Sequence, residues 1–549
     1  MCGVRNNYDV KDAMLTNSLF KDFLDENGLD VYEGKSTRDI ICIEFNYGSR
    51  SYQEEQKNCK KIIKLTEAEL AKTDDKYLTV KLNEKLKRLN ELLEFTNNNQ
   101  DKYKKKNKQD IRTLFYNEGV TIKYPIFGRD KKIKSFDKIH YKMLYRTPGK
   151  AKKGSCMFIR DSLYDKAREF LYMGIQLPKQ NAPIVEIGAY SSLITSSIVD
   201  RVQIKPEEIF IFKEMSFEFK TDVINVGAEN RKCFAKFEKD HVLTNDIFDG
   251  QALIDSSIFP KDGNGYILLR QHFFKAAAFK TNIQTFFKDY YGDKYDTAII
   301  SDMFGIEHRV KDIKLITTNN ACKWIKFDGI TFDYWCDWLS KNDYKFGIVK
   351  TAHESKFGDV QRMSYQMINA LDEKTMDSVL SKSKEYITAL KTDDETFFKY
   401  LKDNINFSND FEALLAICEK CPDFVRSDYF RERKKNIIYS YVLNLKNGKV
   451  IQNADNLTIV GSPYAMLLNA VGEDPRKDPT FKQEDEAIQC WTERFEDGEY
   501  LAEFRNPFNS RNNLGYLHNV YHEYFDKYFD FGKLIIAVNS LGSCFMDRN

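Results

Sequence analysis

The feature that most constrains the fold is the repeated change between helical and strand-forming periodicity along the chain. Residues 1–110 are predicted to form a mainly helical head, and short β-rich runs follow over residues 111–350. The pattern returns to helix over residues 351–436 and to strand over residues 437–549. We therefore predict an α+β fold in which a helical spacer joins two β-rich modules.

The helical head is predicted from Tyr52–Phe95. Leu and Ile recur there at spacings of three and four among many Lys and Glu, so one face is apolar and the other is charged. A break is expected near Lys72–Asp75, which gives a helical hairpin.

The first β-rich module is predicted from short runs separated by polar or glycine-containing turns. These runs are Ile184–Ile187, Ile209–Phe212, Tyr266–Arg270, Ala298–Ser301 and Phe346–Lys350. Helices intervene only in places such as Ser162–Met173 and Lys280–Tyr290. The spacing favours a barrel-type core over regularly alternating βαβ units.

Composition limits the functional classes. The 549 residues carry 84 basic and 82 acidic side chains, so the net charge of +2 gives no overall preference for nucleic acid. Any nucleic-acid channel must be a local basic patch. The odd number of cysteines, 11, and the absence of a signal peptide at the first residue predict a cytoplasmic protein. No apolar run approaches the roughly 20 residues of a membrane helix, so no membrane partner is expected.

An ordered set of short motifs carries the functional prediction. Asp249-Gly250 is predicted to turn into a small helix, and a strand then ends at Arg270, with Lys275 five residues further on. A basic strand around Lys314 and a Gln-rich helix, Gln361–Leu371, are predicted to follow.

The C-terminal part continues this order. A Gly-x-Pro turn follows a strand at Gly461, and a hairpin turning at Asp497-Gly498 is predicted to deliver Arg505 and Pro507. A buried strand, Leu534–Val538, comes last.

This order, over about residues 153–549, resembles the two-barrel RNA polymerases, which include eukaryotic-type RNA-dependent RNA polymerases and the large catalytic subunit of cellular RNA polymerase. The resemblance implies two double-psi β-barrels, the second of them incomplete. It also implies a DNA- or RNA-templated nucleotidyltransferase of phage or mobile-element type that uses nucleoside triphosphates. The template class stays open.

The resemblance assigns roles to residues. Lys275 and Lys314 would stabilise the triphosphate, with Lys311 as the alternative to Lys314 by a register slip. Ala276 stands where the family often has Gly. Arg505, with Asn506 beside it, would contact the sugar of the incoming nucleotide, and Arg270 would also bind substrate.

The same resemblance implies two-metal chemistry with Mg²⁺. The family's acidic metal-binding loop follows a strand like Leu534–Val538, so the ligands are expected beyond Asn549 and this chain is expected to be inactive by itself. Asp547 is interpreted as a turn residue in preference to a metal ligand.

A basic cluster is the predicted contact for a template backbone: Arg431, Arg433, Lys434 and Lys435. A solvated helix face is the alternative interpretation. The alternative function is a non-catalytic nucleic-acid-binding or scaffold protein.

Other motifs are interpreted without chemistry. Cys418 and Cys421 form a single CxxC pair, too few ligands for a zinc site. His518 and His522 lack the glutamate of a zinc protease, and Trp335 and Trp338 are expected to pack in a core.

Overall fold

The structure is a computed structural model. It describes residues 8–14, 17–29, 31–32, 36–45, 51–73, 75–100, 108–128, 133–145, 155–175, 184–229, 232–354, 361–362, 373–405, 409–452, 454–482, 487–504 and 514–541. Among these residues, no helix combines the length and the apolar character that crossing a membrane requires.

Fourteen α-helices lie within the described residues. They are α1 Leu19–Glu26, α2 Tyr52–Leu70, α3 Lys76–Asn98, α4 Lys108–Glu118, α5 Asp161–Leu171, α6 Ile184–Ser191, α7 Ile283–Tyr291, α8 Phe332–Ser340, α9 Met376–Thr392, α10 Asp394–Asp403, α11 Phe411–Lys420, α12 Asp428–Lys446, α13 Pro463–Ala470 and α14 Glu523–Tyr528.

The described strands are β1 Tyr8–Met14, β2 Val31–Tyr32, β3 Ser36–Phe45, β4 Val120–Phe127, β5 Ile133–Tyr145, β6 Ser155–Arg160, β7 Asp200–Gln203, β8 Ile209–Phe212, β9 Ser216–Glu229, β10 Lys232–Asp246, β11 Gln251–Asp255, β12 Tyr266–Gln271, β13 Phe274–Thr281, β14 Ile299–Ser301, β15 Glu307–Arg309, β16 Leu315–Thr318, β17 Lys345–Thr351, β18 Gln361–Arg362, β19 Ile451–Gln452, β20 Thr458–Gly461, β21 Ile488–Trp491, β22 Tyr500–Phe504, β23 Leu514–Asn519 and β24 Ile535–Val538.

The fold is mixed α/β, and several of its sheets curl as half-barrels. The chain divides into two compact units. The first contains residues 1–201, 270–274 and 333–347, and the second contains residues 202–269, 275–332 and 348–549.

The first unit contains a sheet in the order β1-β3-β6-β5-β4, with β2 on β3. Helix α4 buries Ile111 against the sheet residues Ile43, Val120 and Phe158. The predicted helical hairpin is confirmed as α2 and α3, and Asp75 caps α3 by accepting a hydrogen bond from the Tyr77 amide at 2.8 Å. The head is not helical throughout, because β1 and β3 belong to the sheet.

The second unit contains a sheet in which β8, β16, β11 and β13 are neighbours in that order. A second sheet has the order β20-β24-β21-β23-β22. Both sheets contribute to one core: Leu253 and Phe279 from the first cluster with Val460 and Ile535 from the second. Burial of this shared apolar surface holds the two sheets together.

Four helices, α9 to α12, form a helical part of the second unit with its own core. Phe397, Leu414, Phe430 and Tyr441 are among its buried residues. These helices lie in and just beyond the region predicted to be a helical spacer, residues 351–436. Gln361–Arg362 of the predicted Gln-rich helix form the strand β18, and the rest of that helix lies outside the described residues. Helix α12 continues to Lys446, ten residues past the expected boundary at residue 436. Ile437, Ile438 and Tyr441 lie at helical spacing and face this core, which is why the apolar run is a helix.

Three other local predictions are wrong. Ile184–Ile187 lies in α6 and not in a strand. The segment after Asp249-Gly250 is the strand β11, whose five residues are all buried, and not a small helix. Strands β21 and β22 do not form a hairpin through Asp497-Gly498, because β23 lies between them and pairs with both.

Candidate functional site

The candidate site lies where β11 and β13 begin. These two strands are parallel, and Gln251 is opposite Ala277. Gly250, with φ of +75°, turns the chain into β11, and its carbonyl oxygen accepts a hydrogen bond from the Ala277 amide at 2.8 Å. Lys275, at the start of β13, is exposed. The pairing therefore brings the Asp249-Gly250 turn beside Lys275.

The end of β16 lies at the same edge, because β16 runs antiparallel to β11 with Thr317 opposite Ala252. The chain then enters a short 3₁₀ turn, Lys323–Lys326. This turn supplies two further lysines, of which Lys326 is exposed and Lys323 is half-buried.

The electrostatics of Lys323 show that these side chains are close together. Burial lowers the pKa of Lys323, Asp249 opposes this effect, and Lys326 and Lys275 lower the pKa further. Lys275, Lys323 and Lys326, which we call the lysine cluster, therefore gather positive charge beside one carboxylate.

A half-buried glutamate, Glu214, borders the same edge. Glu214 accepts hydrogen bonds from the Thr318 hydroxyl at 2.7 Å and from the Phe248 amide at 2.9 Å. Burial raises the pKa of Glu214 to about 7; the hydrogen bonds oppose this shift, and nearby Asp246 adds to it. Its carboxyl group is thus the neighbour most ready to exchange a proton at neutral pH.

The end of the second sheet meets this edge as well. The Gln251 amide donates to the Gly461 carbonyl oxygen at 2.8 Å, and the Gly461 amide donates back to Gln251 Oε1 at 2.8 Å. Gly461, the last residue of β20, is opposite Val538, the last residue of β24. Strands β11, β13, β16, β20 and β24 therefore all have an end here.

Lys314 lies at the opposite end of these strands. Its carbonyl oxygen accepts from the amide of Asp255, the last residue of β11, at 2.8 Å, and its ammonium group lies 2.6 Å from Glu208 Oε1. Since β11 spans five residues, its ends are about 13 Å apart. The structure does not bring Lys314 and Lys275 together. The alternative, Lys311, lies 3.6 Å from Asp296.

The other predicted substrate contacts are placed differently. Arg270 is buried, at 8% exposure, and belongs to the first unit. Arg505, Asn506 and Asp547 lie outside the described residues, so their predicted roles stay predictions.

The predicted template-binding cluster divides between two faces of α12. Arg433 forms a pair of hydrogen bonds with Asp410, its Nε 2.8 Å from Oδ2. Lys434 contacts Asp394 at 2.7 Å. Arg431 and Lys435 are exposed.

Other motifs have structural roles or carry no metal arrangement. His522 caps α14 by accepting from the Tyr524 amide at 3.2 Å, and His518 stacks on Tyr500 with ring centres 4.4 Å apart. Trp335 and Trp338 are buried, as predicted. Across the described ranges, no group of three or more His, Cys, Asp or Glu side chains is arranged to hold a metal ion.

Sequence reasoning missed Lys323, Lys326 and Glu214. None of them belongs to a motif, and each reaches the site through a strand end. One indication was available: a buried strand, Leu315–Thr318, followed within eight residues by two lysines.

Comparison with known proteins assigns no family: no protein-family model matches the chain, and no curated protein matches it. Its function must therefore be argued from its own residues.

Proposed function

We propose that the lysine cluster binds the phosphates of a nucleoside triphosphate, and that the protein is a nucleotidyltransferase of the double-psi two-barrel RNA polymerase class. The observation that carries this proposal is the convergence of Lys275, Lys323 and Lys326 beside the Asp249-Gly250 turn.

Phosphate chemistry suits this arrangement. Ammonium groups are compact point charges that bind phosphate oxygens, and fixed cations stabilise the charge that builds on a leaving pyrophosphate. Burial is the main cause of the lowered pKa of Lys323, and repulsion from Lys326 and Lys275 lowers it further, so the free site disfavours the charge of this ammonium group. A bound polyphosphate relieves this repulsion, so part of the unfavourable energy of the free site favours binding.

The position of β24 also supports the proposal. The resemblance to polymerases implies an acidic loop after this strand, and β24 ends beside Gly461, which Gln251 connects to the start of β11. A loop leaving β24 there would start at the same edge as the lysine cluster. Residues 542–549 lie outside the described part of the chain.

The metal is not assigned to any residue. The described residues offer no magnesium site of three or more acidic or histidine ligands, so the proposal for this chain is limited to binding and neutralising the phosphates. In the reaction class, the 3′-hydroxyl of a growing strand attacks the α-phosphate and pyrophosphate leaves. Template class and the contacts of Arg505 and Asn506 with the sugar stay open.

The test is calorimetric titration with ATP, AMP and adenosine. We expect affinity to rise steeply with the number of phosphates, and Lys275→Met to weaken ATP binding at least about tenfold, which corresponds to about 1.4 kcal/mol. Lys399→Met, an exposed residue on α10, is the matched control. Equal affinity for ATP and adenosine would contradict the proposal. Oligonucleotide binding without ATP binding would favour the non-catalytic alternative.

A further inference from the structure

A groove of about 880 Å³ runs along one face of α12. This volume is within the range of ligand-binding sites. Residues 431, 435, 438 and 442 line it at spacings of three and four, so they form one stripe on the helix. The stripe is about 16 Å long, which matches three helical turns.

The groove has an apolar floor and a basic rim. Val425, Ile438 and Val442 provide aliphatic surface. Lys391 and Lys435 stand at the rim and are exposed. Apolar lining alone does not define a partner, but the charge at the rim does.

The balance of charge in the groove is positive. Its lining includes one acidic side chain, Asp394, and four basic ones: Lys391, Arg431, Lys434 and Lys435. Lys434 and Asp394 contact each other at 2.7 Å, and the Lys434 ammonium group also lies 5.0 Å from the centre of the Phe397 ring. Lys434 is therefore held by the fold. Arg431 lies 3.6 Å from Asp428, but both partners of this pair are exposed, so Arg431, like the exposed Lys391 and Lys435, is still placed to meet a ligand.

We propose that this groove binds an acidic amphipathic helix of a partner protein. An amphipathic helix places apolar residues at i, i+3 or i+4, and i+7 on one face, which suits the floor. Acidic residues at its flanks would meet Lys391, Arg431 and Lys435. The proposal does not depend on nucleotide binding at the lysine cluster.

A nucleic acid fits the groove less well. Single strands bind through basic side chains together with aromatic platforms on which bases stack. Two aromatic side chains line the groove. Phe430 is buried at 2% exposure, so its face is closed to a base, and Tyr439 is 66% exposed, so the lining offers one exposed ring for stacking and not a series of them. Arg433, the fourth member of the predicted template-binding cluster, faces Asp410 on the other side of α12. The apolar floor favours a peptide.

The test uses the full chain and fluorescence anisotropy. The probes are a labelled peptide of about eleven residues, three helical turns, with Leu at i, i+4 and i+7 and Glu at its flanks, a scrambled peptide of the same composition, and an oligothymidine of similar charge. The variants are Arg431→Glu, Lys435→Glu and Val442→Ser, with Lys382→Glu on α9 as the matched control. Circular dichroism checks that each variant is folded.

We expect the acidic peptide to bind more tightly than the scrambled one. Arg431→Glu and Lys435→Glu should each weaken it at least tenfold, Val442→Ser should weaken it severalfold, and Lys382→Glu should leave it unchanged. Tighter binding of oligothymidine, unaffected by Val442→Ser, would overturn the proposal in favour of a nucleic acid. Equal affinity for the peptide and its scrambled form, or no response to the rim variants, would also overturn it.

Discussion

The two ends of β11 and β16 differ in the surroundings of their lysine side chains. At one end, Lys314 contacts Glu208 at 2.6 Å, so its charge is balanced within the fold. At the other end, burial lowers the pKa of Lys323, Lys326 and Lys275 lower it further, and Asp249 opposes them. The first end pairs one ammonium group with one carboxylate at close range, whereas the second gathers three ammonium groups beside the carboxylate of Asp249.

The largest expected effect is structural and lies at the Lys314 end of the sheet. Gly265 has φ of +69°, and a Cβ there would lie 2.1 Å from the Phe531 carbonyl oxygen. Gly265→Ala should lower the free energy of unfolding by about 3 kcal/mol, from backbone strain and steric overlap. Gly292→Ala, with positive φ but open space, is the control and should cost about 1 kcal/mol. If urea unfolding gives the same loss of unfolding free energy for Gly265→Ala and Gly292→Ala, the steric overlap at Gly265 has no effect.

The second effect is a pH dependence at the lysine-cluster end. Burial raises the folded-state pKa of Glu214 to about 7, from the ordinary value of 4.5 for a glutamate. The folded state binds this proton more tightly than the unfolded state. The contribution of Glu214 to the free energy of unfolding is therefore full below pH 4.5 and is lost as pH rises through 7, a change of about 3 kcal/mol.

Glu214→Gln should remove this dependence. The amide oxygen still accepts from the Phe248 amide, and the Thr318 hydroxyl turns to accept from the amide nitrogen. The free energy of unfolding of the variant should rise relative to that of the wild type between pH 4.5 and 7, and the difference should persist above pH 7. Parallel pH profiles of the two proteins in urea unfolding would show that Glu214 does not titrate in this range.

A smaller effect concerns Lys323. Its pKa is lowered from 10.5, so the folded state disfavours the charged form. Lys323→Met should therefore raise the melting temperature at pH 7, and the gain should shrink as pH rises towards 10.5, where the lysine loses its proton in the unfolded state too. Added ATP should stabilise the wild type more than the variant. A variant less stable than the wild type at pH 7 would contradict the crowding of charge.

The smallest effect is expected at Lys314. Lys314→Met removes the contact with Glu208, and the loss in unfolding free energy should be about 0.5–1 kcal/mol because the pair is partly exposed. ATP affinity should change less than twofold. A tenfold loss of ATP binding in this variant would place substrate at both ends of the strands and remove the distinction between them.

Periodicity predicted most elements but not their pairing. The hairpin of α2 and α3 follows from apolar residues at helical spacing, and the buried strand β24 follows from a short apolar run. The predicted hairpin between β21 and β22 is wrong because Asp497-Gly498 indicates only a local turn. The next strand along the chain, β23, lies between β21 and β22 and pairs with both. Local patterns do not encode which strands become neighbours.

The candidate site was only partly predictable, because strand pairing, which local patterns do not encode, brings several of its residues together. Lys275 follows a turn and a strand that the sequence displays. Lys323 and Lys326 reach the site because β16 runs antiparallel to β11, and Glu214 reaches it because β8, which it follows, runs parallel to β16. Lys314 was expected beside Lys275 because the resemblance to polymerases placed it in a substrate-facing basic strand; it instead precedes β16, and the direction of that strand places it at the far end.

The most direct test is to measure the pKa of Lys323 with and without inorganic triphosphate, by NMR of ¹³C-methylated lysines and assignment with Lys323→Met. The account predicts a lowered pKa in the free protein that rises when triphosphate binds, because the anion neutralises the charge of Lys275 and Lys326 around it. A Lys323 resonance whose titration does not change at saturating triphosphate would contradict the account.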